Sequence, residues 1–267
     1  MKKLFILVTG LLLFACNSKD KTNDKTMFSD LINDNLKGDI TSIEETPYQV
    51  DSSGAIGAMD SCCIVITDYD ENGNVIKNTR KGSDGSVKTE VSITRYDNGE
   101  FKSSSTMKDG KQESKLETIQ DENGKYSGGT EYDSAGNMSH YYTDLTQNDV
   151  GEILSGKRWK KDSTLDGQFS STYNKHQRLT SSFTDSSGKV VNTSNNTYND
   201  KGELSEQTMT TIGKNDSTTT KVTKYRYDAH DDNGNWTQRT EMDENGKPTK
   251  IVKRTYTYKK SEEDKKE

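Results

Sequence analysis

The chain has 267 residues, a formal net charge of −6, 30% charged and 27% hydrophobic residues. That acidic balance, without a basic stripe, excludes a surface built for nucleic acid or anionic head groups. So few apolar side chains cannot fill a thick two-layer core, but thirteen tyrosines and abundant Thr and Val suit a thin sheet.

The chain opens Met1-Lys2-Lys3, followed by an uncharged run from Leu4 to Ala15. A basic start, a short apolar run and a small residue before a cut are the layout of a secretory signal. Crossing a bilayer takes about 20 apolar residues, and the polar Asn17-Ser18-Lys19-Asp20-Lys21 ends the run too early. Leu13-Phe14-Ala15-Cys16 resembles the lipobox of bacterial lipoproteins, which implies cleavage before Cys16 and acylation of its sulfur. Each buried CH₂ of such an anchor contributes about 0.8 kcal/mol. The organisation expected is a signal peptide over 1–15, a lipidated tether and short helix over 16–36, a β-repeat domain over 37–258 and a charged tail over 259–267. Phe28, Leu31, Ile32 and Leu36 have helical spacing, so the short helix is expected to cover an exposed sheet edge.

From residue 60 onward glycines punctuate the chain, at 73, 85, 99, 110, 124, 136, 151, 167, 188, 202, 213, 234 and 246. Most follow Asp or Asn, as in Asp70-Glu71-Asn72-Gly73 and Asp243-Glu244-Asn245-Gly246. Asp or Asn opens a type I turn, and glycine supplies the positive φ that closes the hairpin. Between them lie short Thr-, Ser-, Val- and Tyr-rich segments, so the pattern predicts an all-β, repetitive antiparallel meander. Asn174-Lys175-His176-Gln177 is a further turn without glycine.

A tyrosine often enters these turns: Tyr69-Asp70, Tyr96-Asp97, Tyr132-Asp133 and Tyr227-Asp228, with Tyr173-Asn174 and Tyr198-Asn199 carrying the amide. Here the chain resembles the YD-repeat (RHS-like) proteins, and Leu36-Lys37-Gly38 and Gly234-Asn235-Trp236 resemble the opening and closing units of lipoproteins from Bacteroidetes-type bacteria. The resemblance implies a long twisted or coiled sheet. The chain is too short for the cargo-enclosing shell of the large RHS toxins and has no toxin domain, so that function is not implied. A membrane-spanning barrel is not expected, since strands such as Ser103–Thr106 are polar on both faces and a barrel in lipid needs an apolar outer band.

Cys62 and Cys63 fall in Ser61-Cys62-Cys63-Ile64-Val65-Ile66, the most apolar strand of the exported part, where two buried thiols are expected and a vicinal disulfide is the main alternative. Asp68-Tyr69-Asp70-Glu71-Asn72-Gly73 matches half a calcium loop, but Thr79 stands where the bidentate Glu belongs, so these carboxylates are expected to cap a turn. His140, His176 and His230 are far apart and expected to face solvent. Asp133-Ser134-Ala135, Asp162-Ser163-Thr164 and Asp216-Ser217-Thr218 resemble an O-glycosylation sequon of Bacteroidetes-type bacteria. Trp159 and Trp236 are the candidate ligand surface. No catalytic, cofactor or metal constellation assembles in the sequence. The expected protein is a non-enzymatic lipoprotein anchored in the cell envelope, at the outer membrane, whose sheet binds or scaffolds a protein or glycan. The alternatives are a hydrolase or accessory factor acting on envelope polysaccharide, and a structural spacer.

Overall fold

The computed structural model describes residues 29–51, 53–148, 151–174, 176–213 and 215–259. The signal, Cys16 and most of the charged tail lie outside them. Among the described residues one short helix, α1 (Asp30–Asn33), precedes the strands. These are β1 (Ile40–Val50), β2 (Ile56–Met59), β3 (Ile64–Tyr69), β4 (Val75–Lys81), β5 (Val87–Arg95) and β6 (Phe101–Lys108). They continue as β7 (Lys111–Gln120), β8 (Tyr126–Tyr132), β9 (Met138–Gln147), β10 (Ile153–Lys160), β11 (Leu165–Asn174) and β12 (Gln177–Asp185). The last are β13 (Val190–Tyr198), β14 (Leu204–Ile212), β15 (Thr218–His230), β16 (Trp236–Met242) and β17 (Pro248–Tyr258).

From β3 to β17 each strand pairs antiparallel with the next. The first strand then closes the sheet. Ile43 and Glu45 of β1 sit opposite Tyr256 and Arg254 of β17, and on the other side opposite Thr67 and Val65 of β3. With β2 attached only to the end of β1, the remaining strands form a closed barrel of 16. An even count lets the last strand meet the first antiparallel. The all-β meander expected from the glycine spacing is present, but it is not an open, coiled ribbon. Among the described residues the 16 strands of the ring leave no free edge for the helix to cover.

The turns work as their residues suggest. Asp70 Oδ1 accepts the N–H groups of Asn72 (2.9 Å) and Asn74 (2.8 Å), and Gly73 takes φ 78°. Asp121, Asp133, Asp185, Asp231 and Asp243 cap their own turns in the same way. Two of the glycines serve otherwise. Gly167 lies inside β11, and the β10–β11 turn uses Ser163 at φ 64°; in the β14–β15 turn Asp216, not Gly213, holds the positive φ. Cys62 and Cys63 are not strand residues either: β3 starts at Ile64, and the two sulfurs are bonded to each other.

The segment ahead of β1 establishes which face is inside. Leu31 N–H donates to Gly73 O in the β3–β4 turn (3.1 Å), and Asn35 Nδ2 donates to Lys201 O in the β13–β14 turn (2.7 Å). Along the wall these turns are six strands apart, about 29 Å at ~4.8 Å per strand. Four residues of chain reach at most about 14 Å. The segment therefore crosses the barrel mouth as a chord, and the face it packs on lines the lumen. Lys37 exchanges backbone hydrogen bonds with the Asn235 side chain in the β15–β16 turn (2.9 and 2.8 Å), completing a plug over this mouth. Among the described residues no segment crosses the opposite mouth.

The core gathers at the plugged mouth. Strands running away from it begin with a large inward residue: Ile40, Val75, Phe101, Tyr126, Ile153 and Trp236 are all buried there. Leu31 of the plug packs with Ile40, Ile43, Tyr69 and Val75. The outer wall is different. Register places Thr146, Ser155, Ser170, Ser182, Thr193, Thr210 and Thr220 in one unbroken hydroxyl row across β9 to β15. Exposed hydroxyls bond across it at Thr146–Ser155 (2.7 Å), Ser170–Ser182 (2.8 Å) and Thr210–Thr220 (3.2 Å). Exposed Ile76, Val87, Ile119, Met138 and Val190 lie at strand ends by the rims and make no central apolar band.

Candidate functional site: the lumen and its plugged mouth

The plug is held by charge. Asp30 and Arg95 form an ion pair with side chains only 4% and 8% exposed, and Asp30 also accepts Val75 N–H at 2.7 Å. Arg95 reaches further, to Gly99 O (3.1 Å) and Val75 O (3.2 Å). Burial wins at the carboxyl: it pushes Asp30 above the usual carboxylate range even though Arg95 opposes the shift. Asp34, next on the plug, keeps solvent contact yet is ringed by protein, as suits a group facing a lumen. Burial and the neighbouring Asp30 raise its carboxyl to about 6.

Beneath the plug the inner wall alternates aromatic rings with guanidinium groups. Arg239 lies 4.9 Å from the Tyr225 ring and 4.8 Å from Trp236, and Arg254 lies 3.8 Å from Trp236. Each cation has a carboxylate, Glu241 for Arg239 (3.0 Å) and Glu45 for Arg254 (2.6 Å). Burial opposes the charge on Glu45, but Arg254 and Arg239 prevail and hold it low. The Glu45–Arg254 pair also spans the β1–β17 seam that closes the barrel. Toward the open mouth the inward positions turn polar, with Arg80, Lys108, Lys221, Glu241 and Lys250. The lumen thus runs from a charged open end to an aromatic floor.

Glycines on β8, β10 and β11 leave room for aromatic rings of the adjacent strand. Tyr142 covers Gly129, Phe169 covers Gly156 and Phe183 covers Gly167. A Cβ at Gly156 or Gly167 would collide with the facing ring at 2.5 Å, whereas at Gly129 it would collide with the Glu117 carbonyl at 2.9 Å.

Around the plugged rim several neighbouring turns are latched together. Glu100 accepts from Gln120, Gln177 Nε2 donates to Gly202 O (3.0 Å), and His230 Nε2 meets Glu203 at 2.7 Å. His176 lies 3.7 Å from Glu152, and inside the barrel His140 lies 3.2 Å from Glu131. The histidines are therefore partly covered and paired with glutamates, not simply turned to solvent. Burial pushes the Glu152 carboxyl up to about 7. Among the described residues no group of three or more His, Cys, Asp or Glu converges as a metal site.

No family model matches the chain, and no curated protein matches it. Solved structures do. A porin-like protein from Bacteroides uniformis aligns over 82% of this chain and 98% of its own, at TM-score 0.50 and 14% identity. At that identity the likeness shows the fold alone. A porin-like protein from Bacteroides vulgatus (11% identity, 83% and 99% covered, TM-score 0.34) and the TcdB2-TccC3-Cdc42 complex (12%, 78% and 14%, TM-score 0.30) superpose too loosely to carry an argument. The resemblance to YD-repeat lipoproteins is overturned by the closed barrel and its porin-like neighbour. The Tyr-Asp period has a local cause instead. All of these pairs except Tyr132-Asp133 sit at the plugged mouth, which the chain revisits every second strand.

The two tryptophans do not share a surface. Trp236 is inside and 7% exposed; Trp159 is on the outer wall, stacked on Tyr141 at 6.2 Å with its Nε1 donating to Thr143 Oγ1 (2.9 Å). Ser134, Ser163 and Ser217 are all exposed on turns of the open mouth. The residues that build the lumen floor, Arg95, Arg239, Arg254, Asp30 and Asp34, carried no motif. The alternation Arg254-Thr255-Tyr256-Thr257-Tyr258 was the one signal of an aromatic and cationic face.

Proposed function

We propose that the chain is a cell-envelope protein, tethered through lipid on Cys16, whose lumen binds a glycan without turning it over. The observation that carries this reading is the contrast between the walls. Hydroxyls, charged pairs and the stacked Tyr141–Trp159 pair face outward, while Tyr225 and Trp236 with their guanidinium partners and carboxylates face inward, with lysines added toward the open mouth. A pore through lipid would need an apolar outer band, so this barrel stands in water with its recognition chemistry inside. The likeness to a Bacteroides porin-like protein supports an envelope setting. A barrel of this strand number leaves an aqueous interior, roughly 20 Å wide once side chains are subtracted from strands ~4.8 Å apart. That admits a sugar chain and excludes a folded protein. Tyrosine faces stack on sugar rings, and paired Arg and Glu groups exchange hydrogen bonds with their hydroxyls. Ser29, where the described chain begins, lies at the plug, so a lipid on Cys16 would attach on the side of the plugged mouth.

The test is calorimetric titration with soluble β-1,4-linked N-acetylglucosamine oligomers. Saturable binding is expected, at least about tenfold weaker (~1.4 kcal/mol) in Tyr225→Ala and unchanged in Trp159→Phe. Absence of binding, or equal weakening by the outer-wall Trp159→Phe, would contradict a luminal glycan site.

A further inference from the structure

We infer that Cys62–Cys63 is a redox-active centre at the open mouth, exchanging electrons with thiols, and not a structural staple. The two cysteines are neighbours in sequence and bonded to each other. A disulfide stabilises chiefly by closing a loop of unfolded chain, an effect that grows with loop length. Here the loop contains no intervening residue, so that contribution vanishes. The bond joins no two elements of the barrel. Removing it leaves every strand pairing in place, including the β1–β3 and β1–β17 contacts that close the ring.

Its position is that of a reactive group. The pair lies between β2 and β3, at the mouth that no segment of the described chain covers, with Cys62 exposed and Cys63 half-buried. Asp60 Oδ1 accepts the Cys62 N–H at 3.0 Å, which fixes the loop on the rim. Cys63 holds φ 74°, a left-handed conformation that costs a residue with a Cβ. The ring thus keeps a non-glycine residue in a disfavoured region without stabilising the fold in return, and local strain of this kind collects at functional positions.

The chemistry is thiol–disulfide exchange with a thiol-class reductant. A thiolate attacks one Sγ, a mixed disulfide forms, the Sγ–Sγ bond breaks and the departing thiolate takes up a proton. A second thiol of the reductant then resolves the mixed disulfide and releases the other cysteine. Cys62 and Cys63 gain two electrons and two protons, and the reductant's two thiols lose them.

The experiment uses the full chain isolated from the envelope, alkylated under native conditions before and after millimolar dithiothreitol and after reoxidation with glutathione disulfide. The tryptic peptide spanning residues 38–77 holds no other cysteine, so its mass reports this pair alone. The expected result is no alkylation as isolated, alkylation of both cysteines after reduction with the circular dichroism spectrum unchanged, and loss of reactivity on reoxidation. A Cys62→Ser, Cys63→Ser variant should melt within about 2 °C of the parent. Free thiols in the isolated protein, a bond that opens only on unfolding, or a variant that melts well below the parent would each overturn the assignment.

Discussion

Replacing Arg95 with methionine should cost about 3–5 kcal/mol of stability, the penalty for leaving one partner of a buried ion pair alone. The expectation rests on how deeply the pair is set: Asp30 and Arg95 side chains are 4% and 8% exposed. Methionine keeps much of the volume but none of the donors. The Asp30 carboxyl, already raised by burial, would lose the cation that opposes the shift, and Gly99 O and Val75 O would lose their guanidinium donor. The plug depends on this anchor, so its far end should loosen as well. Urea unfolding measures the stability, and trypsin cleavage after Lys37, protected in the parent by bonds to Asn235, reads the plug. Wild-type stability combined with a protected Lys37 would mean that the plug is held by something other than this pair.

Gly167→Ala should be nearly as damaging, at about 3 kcal/mol. A Cβ there would fall far inside van der Waals contact with Thr184 O and 2.5 Å from Phe183 Cζ. The Phe183 ring can rotate away, but the carbonyl belongs to the β12 backbone, and yielding means parting β11 from β12. Gly136→Ala is the contrast: its Cβ would meet nothing within 4 Å, so its cost is confined to the positive φ of 78°. Thermal melts of the two variants should differ widely, with Gly167→Ala much the lower; equal melting temperatures would show that the wall adapts at β11 as easily as in a turn.

Asp and Asn before glycine made the strands and turns readable, because a carboxylate capping its own turn is a local event. Closure was not readable in the same way. Nothing in Ile40–Val50 or Pro248–Tyr258 declares that Glu45 will pair with Arg254 across 209 positions of sequence. Hairpins in series make an open ribbon or a ring with the same local signals, and the difference lies in strand number and accumulated twist. Composition does not separate a glycine that bends the chain from one packed against an aromatic ring, so Gly167 reads as a turn glycine yet lies inside β11 against Phe183. Trp236 stands out in the sequence, but its partners Arg239 and Arg254 do not, since the ladder that joins them runs across β15, β16 and β17 side by side. The plug is the extreme case. Leu31 and Ile32 indicated a helix, yet its position across the mouth follows from Gly73, Lys201 and Asn235, which are scattered along the chain.

The seam itself is the most direct test of a closed barrel. Glu44 of β1 and Thr255 of β17 are register partners on the outer wall, so cysteines placed there in a background with Cys16, Cys62 and Cys63 replaced should oxidise to an intramolecular disulfide in the folded monomer. Efficient cross-linking without added denaturant is the result expected for the ring. In an open, coiled sheet these two residues belong to opposite ends of the ribbon, and free thiols or cross-links only between molecules would contradict the barrel and the lumen with it.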